Sequence, residues 1–278
     1  MQGIVGIDIG GTLTKVAYFD YNYELQLHYF YSNELSKVRD WIKENTFINE
    51  VCITGGKAEQ FKQVIASDSL HTSYIVEFDA TCLGVQYLLN KADYSLDNYI
   101  ITNIGTGTSI HIVNNSGYFR AGGTGIGGGT LMGLCQLLTG LSDFKKIIEV
   151  SKHGSRSQLD IKVSDIYKGI VSPVDGDLTA SNFGKAFLGD VVHSEISDVT
   201  ATVQGLVGEV VTTLSIYIAE TQNIDNIIYI GSTLSDNEPL KTIIGNYTAK
   251  NNKNPIFLKD HGFSGAVGAL MRKRNLAE

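Results

Sequence analysis

Two strand–turn–strand elements with glycine-rich turns constrain this chain more than any other feature of it. The first is Gly6-Ile7-Asp8-Ile9-Gly10-Gly11-Thr12-Leu13-Thr14-Lys15. Its first apolar run (Ile4, Val5, Ile7) carries one aspartate, and a second apolar run (Val16, Ala17, Tyr18, Phe19) follows Lys15. That pattern reads as strand, tight turn, strand. A turn made of glycine amides, hydroxyls and one ammonium suits the oxygens of a polyphosphate. An aspartate at the end of the first strand can face a Mg2+ ion bound to that phosphate. The second element, Asn103-Ile104-Gly105-Thr106-Gly107-Thr108-Ser109, again alternates small residues with hydroxyls between two apolar runs. A plain hairpin accounts for either turn alone. A carboxylate inside an apolar strand, however, costs free energy unless it meets a cation or several donors. Two such turns at the same place in a repeated topology can hold one nucleotide from both sides, one at the γ-phosphate and one at the β-phosphate.

The order of elements supports that repeat. Strands are expected at Ile4–Asp8, Lys15–Phe19 and Leu25–Tyr31, and a helix over Glu34–Asn45 with Leu35, Val38, Trp41 and Ile42 at helical spacing. A strand at Val51–Thr54, a helix over Ala58–Ala66, a strand near Tyr74–Val76 and a helix over Asp79–Leu89 follow. The pattern then restarts with strands at Tyr99–Asn103, Ser109–Val113 and Tyr118–Ala121. Helices are expected over Thr130–Leu138, Asp143–Lys152, Ser181–Val192 and Val199–Gln222, then a strand at Ile227–Ile230. A helix over Leu240–Tyr247, a strand at Ile256–Leu258 and a closing helix over Gly265–Arg274 complete the chain. Two α/β lobes with a cleft between them are the expected fold. The first lobe spans 1–95 and the second 96–261, and the closing helix at 262–278 is free to pack on the first.

Composition narrows the partners. The net charge of −7 argues against nucleic acid, which needs a basic face to replace counterions. The three cysteines, Cys52, Cys82 and Cys135, lack CxxC spacing, so zinc and a disulfide framework are not expected and a reducing compartment fits. No leader-like N-terminal segment and no uninterrupted apolar run of membrane-spanning length is visible, so a cytoplasmic protein without a membrane partner is expected. The six histidines are dispersed and receive no role.

Several other segments carry a chemical reading beside a plain one. Gly123, Gly125 and Gly128 satisfy G-x-G-x-x-G with Asp143 further on, but that aspartate opens a helix where the dinucleotide fingerprint requires a strand end. The better reading of Gly122–Gly129 is a loop passing under a ligand, with the helix at Thr130 presenting free N–H groups. A Walker loop is absent, because Ala58 follows Thr54-Gly55-Gly56-Lys57 where a Ser or Thr belongs. Val76-Glu77-Phe78-Asp79-Ala80 places two carboxylates at a helix start, where the helix dipole alone would favour them. The strand just before them puts Glu77 at the cleft end of a sheet. Arg120, between a strand and the glycine loop, suits a carboxylate or polar substrate group better than a surface ion pair. Met132, Leu134, Leu137 and Leu138 read as core. Val203, Leu206, Val207, Val210, Val211, Leu214 and Ile218 on the long helix serve either as core or as a contact between copies.

Taken together, these residues resemble the sugar kinase, heat-shock ATPase and actin superfamily, and within it the type II pantothenate kinases. The resemblance rests on Gly6–Thr12, Ile53–Gly56, Val76–Ala80, Asn103–Ser109, Arg120–Gly129, Gly176–Gly184, Val207–Val211, Ile230-Gly231-Ser232 and Gly262–Ala269, and it spans essentially the whole chain. It implies duplicated ribonuclease H-like (actin-like ATPase) lobes around a nucleotide. It also implies transfer of the γ-phosphate of ATP to pantothenate, the first step of coenzyme A synthesis, with Mg2+. Glu77 would be the catalytic base. Asp8 would act on the metal through water, and Lys15 would neutralise the β- and γ-phosphates. Gly10, Gly11, Thr12, Gly105, Thr106, Gly107 and Thr108 would form the phosphate turns. Gly125, Gly127, Gly128, Gly129, Gly231 and Ser232 would line the adenine side, and Arg120 and Gly122 would bind pantothenate. The resemblance also implies a homodimer. The alternatives it leaves open are a sugar or amino-sugar kinase of the same superfamily and a non-transferring ATPase activator.

Overall fold

The computed structural model describes residues 3–66, 68, 70–189 and 194–275. The chain opens with strands β1 (Ile4–Ile9), β2 (Leu13–Phe19) and β3 (Leu25–Tyr31), then helix α1 (Leu35–Glu44), β4 (Glu50–Thr54), α2 (Ala58–Ile65), β5 (His71–Tyr74) and α3 (Glu77–Lys91). The second half repeats the opening with β6 (Tyr99–Ile104), β7 (Thr108–Asn114) and β8 (Gly117–Thr124). Helices α4 (Gly128–Thr139) and α5 (Phe144–Ser151) follow. Next come a short ribbon of β9 (Ile161–Lys162) and β10 (Thr179–Ser181) around α6 (Val163–Ile166), and then α7 (Gly184–Leu188). The long helix α8 (Ile196–Thr221), β11 (Asn226–Ile230), α9 (Glu238–Lys250), β12 (Asn254–Phe257) and α10 (Ser264–Asn275) complete it.

The two large sheets have the same order. One is β3-β2-β1-β4-β5 and the other, from the corresponding edge, β8-β7-β6-β11-β12. In each, an antiparallel three-strand meander is extended by parallel strands. This is the α/β architecture of duplicated actin-like lobes. Alternation along β1 sets the layers. Val5, Ile7 and Ile9 point to one face, where Val38, Ile42, Phe61 and Ile65 of α1 and α2 cover them. The opposite face holds Gly6 and Asp8 and receives α10, whose Ala266, Val267, Leu270 and Met271 pack with Ala17. Helix α3 lies beside α10 and turns Cys82, Val85, Leu88 and Leu89 onto Tyr99, Ile101, Ile228 and Ile230 of the second sheet. The outer face of that sheet is closed by α8 and α9 through Val211, Ile216, Leu240 and Ile244. The paired helices α3 and α10 therefore lie between the two sheets.

Several elements depart from the sequence expectation. The expected helix at 181–192 is instead the end of β10 followed by the short α7. Phe183, before α7, and Gly189, after it, are both left-handed (φ 56° and 74°) and confine α7 to Gly184–Leu188. Val192 lies outside the described residues. The expected strand at 74–76 sits earlier, at His71–Tyr74, and α3 begins at Glu77 instead of Asp79. Leu137 and Leu138 are not core: they are exposed on α4, Leu137 by 83%. On α8, Val203, Val207 and Val211 are fully buried, whereas Val210 and Tyr217 are exposed. By length and composition α8 could cross a membrane, but most of it is buried inside this fold, as in a core helix.

Candidate active site

Asp8 stands at the cleft end of β1, on the face turned toward α10 and α3. Its register partner on β2 is Lys15 and on β4 is Thr54. A Cβ on Gly55 would lie 2.7 Å from Asp8 Oδ1, and one on Gly265 would lie 2.6 Å from Oδ2. Both glycines are required by this close approach, and Gly55 also has φ +95°. Among the described residues, Asp8 has no side-chain hydrogen bond. The Thr54 hydroxyl beside it is buried without a partner. Burial pushes the Asp8 carboxyl above the ordinary carboxylate range, and the Lys15 ammonium opposes that rise. A half-buried carboxylate without donors, next to a buried and orphaned hydroxyl, is chemistry that fits a hydrated divalent cation.

The first turn is braced from outside. Gly10 N donates to Leu13 O at 3.1 Å, Ser32 N to Thr12 O at 2.9 Å and Lys57 Nζ to Gly11 O at 2.8 Å. Gly11 and Thr12 remain exposed to the cleft. Across it, a Cβ on Gly11 would meet Thr106 Oγ1 at 3.9 Å, so the two turns face each other. In the second turn Gly105 N donates to Gly107 O at 2.9 Å. Thr106 is exposed, but Thr108 is buried and its hydroxyl donates to Ile126 O at 2.8 Å. Thr106, not Thr108, thus offers its side chain to the cleft.

The glycine loop does not present free N–H groups as expected. Gly128 N donates to Gly105 O and Gly129 N to Thr106 O, each at 2.8 Å. Helix α4 begins inside the loop, at Gly128, and its first amides are used to hold the second turn. A Cβ on Gly127 would lie 2.8 Å from Gly107 backbone atoms, so this glycine allows two backbones to pack directly. Gly125 borders open space. Gly231, at φ +112°, packs against Ile104, Ser232 is half-buried, and Thr233 Oγ1 donates to Gly105 O at 2.9 Å.

Glu77 is the first residue of α3, after an extended Val76. The helix start favours its negative charge. The side chain is open to the cleft, yet its carboxyl is raised above the ordinary range. Desolvation between the lobes is the main cause, the Asp8 charge adds to it, and Lys15 opposes it. Asp8, Lys15 and Glu77 therefore form one electrostatic group. Arg120 lies on β8, where the register slips between the pairs Ile110↔Gly122 and His111↔Arg120. Its guanidinium lies 5.8 Å from the Phe78 ring centroid. Gly122 is half-buried next to Ile218 of α8.

A separate cavity of about 500 Å³ opens in the second lobe, lined by Arg156, Asp160, Thr179, Glu209, Tyr247 and Lys250 among others. Its walls are already paired: Arg156 binds Glu209 at 2.6 Å and Asp160 at 2.8 Å, and Thr179 Oγ1 donates to Glu209 at 2.7 Å. This cluster ties β10 to α8, and its residues are not those around Asp8 and Glu77. Cys52, Cys82 and Cys135 are buried on separate elements, and the described residues contain no group of three or more His, Cys, Asp or Glu side chains placed to hold a metal ion.

Sequence reasoning missed Lys57, Gly55 and Gly265 as supports of the first turn and Arg156 as the partner of Glu209. The motifs Ile53–Gly56 and Gly262–Ala269 include Gly55 and Gly265, whereas Lys57 enters the sequence reading only through the rejected Walker loop and nothing local marks Arg156.

The Fumble family model matches residues 21–272. A type II pantothenate kinase of Bacillus cereus (strain ATCC 10987) is 56% identical over 275 residues, covering 99% of each chain. One of Staphylococcus saprophyticus is 38% identical, covering 96% of this chain and 98% of that one. Among solved structures, the activator of the 2-hydroxyisocaproyl-CoA dehydratase from Clostridium difficile with bound ADPNP superposes with a TM-score of 0.67 at 15% identity, covering 100% of this chain and 96% of that one. A ROK family glucokinase from Streptomyces griseus in complex with glucose and AMPPNP gives 0.58 at 15% identity, covering 98% and 99%. These two likenesses carry the fold alone. With two opposed glycine turns, the Asp8–Lys15–Glu77 group and full-length relatives of this kind, the chain belongs to the Fumble family of type II pantothenate kinases.

Proposed function

We propose that this protein transfers the γ-phosphate of ATP to the primary hydroxyl of pantothenate, giving 4′-phosphopantothenate and ADP. The convergence of Asp8, Lys15 and Glu77 at the mouth formed by Gly11 and Thr106 carries this reading. Phosphoryl transfer needs positioning and charge neutralisation more than covalent help. The amides of Gly11 and Thr12 and the Lys15 ammonium meet the terminal phosphates from one lobe, and Gly10 closes that turn through its bond to Leu13 O. Gly105, Thr106 and Gly107 meet them from the other, with Thr108 and Gly127–Gly129 holding that turn in place. Gly125, Gly231 and Ser232 border the adenine side. Asp8 would hold Mg2+ through water, and the ion would supply further neutralisation of the triphosphate. Glu77 accepts the proton of the attacking hydroxyl, and its raised pKa brings it nearer to the pH at which a general base works best. Arg120 binds the acidic end of pantothenate, beside Gly122. The lobes 1–95 and 96–261, with 262–278 returning to the first, form the two sides of the clamp.

The same reading makes the protein a cytoplasmic homodimer that binds neither nucleic acid nor a membrane. Exposed Leu137, Leu138, Val210 and Tyr217 support a contact between copies. The test is ADP release with pantothenate, with amino sugars and without acceptor, for the wild type and for Glu77→Gln. Turnover is expected with pantothenate alone, and Glu77→Gln should keep ATP binding and lose transfer. Unchanged turnover in Glu77→Gln would remove the base from Glu77, and preference for a sugar would overturn the acceptor.

A further inference from the structure

Three consecutive residues at the start of α3 engage three different groups. Glu77 faces Asp8 and Lys15, Phe78 lies under Arg120, and Asp79 acts on Tyr118. Tyr118 and Arg120 are two apart on β8 and so share one face of that strand. The phenyl ring of Phe78 also meets the His111 imidazole, with ring centroids 5.0 Å apart. His111 is the cross-strand partner of Arg120, and its Nε2 lies 3.1 Å from Ser109 Oγ. Burial, and then the charge of Arg120, push the His111 imidazole down to about 4, so at neutral pH an uncharged ring sits beside the guanidinium. On its other side, Arg120 Nη2 lies 2.7 Å from where a Cβ on Gly123 would stand, so glycine at that position lets the guanidinium pack close against the strand backbone. The register slip just beyond Arg120 re-aims its strand locally, as β-bulges near binding sites do. Among the described residues Arg120 pairs with no carboxylate. The guanidinium is thus held by rings and by shape, with its charge left for a ligand.

We propose that Phe78 and His111 are positioning residues that hold the Arg120 guanidinium at a set separation from the Glu77 carboxylate, so that the site measures the length of an acceptor between its anionic end and its reacting hydroxyl. This rests on the reading of Glu77 as base and Arg120 as acceptor contact. The physical link is short. Phe78 is the residue next to the base, and moving the ring moves the anchor of the other end of the substrate.

The experiment compares pantothenate with its homologue bearing one more methylene before the carboxylate, in wild type, Phe78→Leu, Phe78→Tyr and His111→Leu. Wild type should discriminate at least about tenfold in kcat/KM, as one methylene commonly allows. Phe78→Leu keeps apolar volume and should raise the pantothenate KM about tenfold, leave the ATP KM within twofold and erase most of the length discrimination. Phe78→Tyr restores the ring and should restore both, and His111→Leu should behave as a weaker Phe78→Leu. In an Arg120→Ala background, Phe78→Leu should add nothing to the pantothenate KM. Additive effects there, or unchanged length discrimination in Phe78→Leu, overturn the proposal. If Arg120→Ala leaves the pantothenate KM unchanged, the underlying assignment of Arg120 fails instead, and the inference falls with it. Thermal midpoints distinguish a folding defect, and Phe78, being partly exposed, is the variant least exposed to one.

Discussion

The spacing of α3 and α10 should be the mechanical setting on which the site depends, and Gly84→Ala tests it. Glu77 rides on α3, while α10 carries Gly265, which cradles Asp8. The two helices meet where each has a glycine. A methyl on Gly84 would run into the Ser264 carbonyl and lie 2.9 Å from Gly268 N, and one on Gly268 would run into the Ala80 carbonyl and lie 2.8 Å from Gly84 N. The obstructing atoms are backbone, so no rotamer change relieves the overlap, and the helix axes must part by about 1 Å. Overpacking of this kind costs about 1–3 kcal/mol, and with rigid backbone on both sides the upper end applies. Alanine returns roughly 1 kcal/mol of helix propensity. A net loss of about 2 kcal/mol lowers the thermal midpoint by roughly 4–8 °C in a chain of this size. A displacement of about 1 Å between Glu77, the proposed base, and the proposed phosphate turns should also reduce kcat by roughly 10–100-fold. Differential scanning fluorimetry and coupled ADP-release kinetics read both quantities. Gly133→Ala on α4 is the control: nothing lies within 4 Å of its added methyl. It should gain about 0.5–1 kcal/mol and keep its kcat. A Gly84→Ala protein as stable and as active as Gly133→Ala would refute the reasoning.

Two further outcomes follow from charge. In ligand-free protein, a carbon-13 titration of the Glu77 carboxyl should show a midpoint above the ordinary value of about 4.3, moving down in Asp8→Asn and up in Lys15→Ala; the reverse order would refute the electrostatic grouping. Because the folded pKa is raised, this group's contribution to stability falls as pH rises from the unfolded value through the folded one. Urea melts should therefore show Glu77→Gln gaining on wild type above that window and not below it. In the second lobe, Arg156→Met leaves Asp160 and Glu209 without their cation, at 3% and 14% side-chain exposure. Breaking a buried pair costs about 3–5 kcal/mol, and the partial exposure of Arg156 favours the lower end. Faster amide exchange at Thr179–Phe183 should accompany the loss, and unchanged exchange would show that the cluster does not hold β10.

What the sequence made legible was local. Asp8 through Lys15 and Asn103 through Ser109 announce strand, turn and strand because glycine, hydroxyl and β-branched residues act within a few positions of one another. The repeat of sheet order followed from the repeat of those elements. Phe183, Phe187 and Leu188 read as one helix, but two left-handed residues bracket Gly184–Leu188, and only glycine at 189 hinted at the stop. Leu137 and Leu138 show that helical spacing marks an apolar residue without marking what covers it. The loop amides of Gly128 and Gly129 could not be assigned from composition, since a glycine amide serves a ligand or a neighbouring carbonyl equally well. Arg156 and Glu209 are joined only by the packing of α8 against the turn before β9.

The duplication is unequal in charge: the charged cross-strand pair stands in one lobe only. The cleft-end pair of the first meander is Asp8↔Lys15. In the second meander the corresponding pair is Asn103↔Ser109, both uncharged. The first turn is also one residue longer: Ile9 pairs with Thr14, whereas Ile104 pairs with Thr108. A carboxylate and an ammonium on adjacent strands can sort a metal from a phosphate. An amide and a hydroxyl in the same frame can do neither, and leave a neutral wall of Gly105, Thr106 and Gly107 backed by Gly128, Gly129 and Thr233. Had both lobes kept the charged pair, two carboxylates would face one phosphate across the gap between Gly11 and Thr106, where their repulsion is weakly screened. On the proposed reading, one charged turn against one neutral turn would let the second lobe approach the phosphate without that repulsion, and α3 and α10, lying between the sheets, would set how closely the two turns meet.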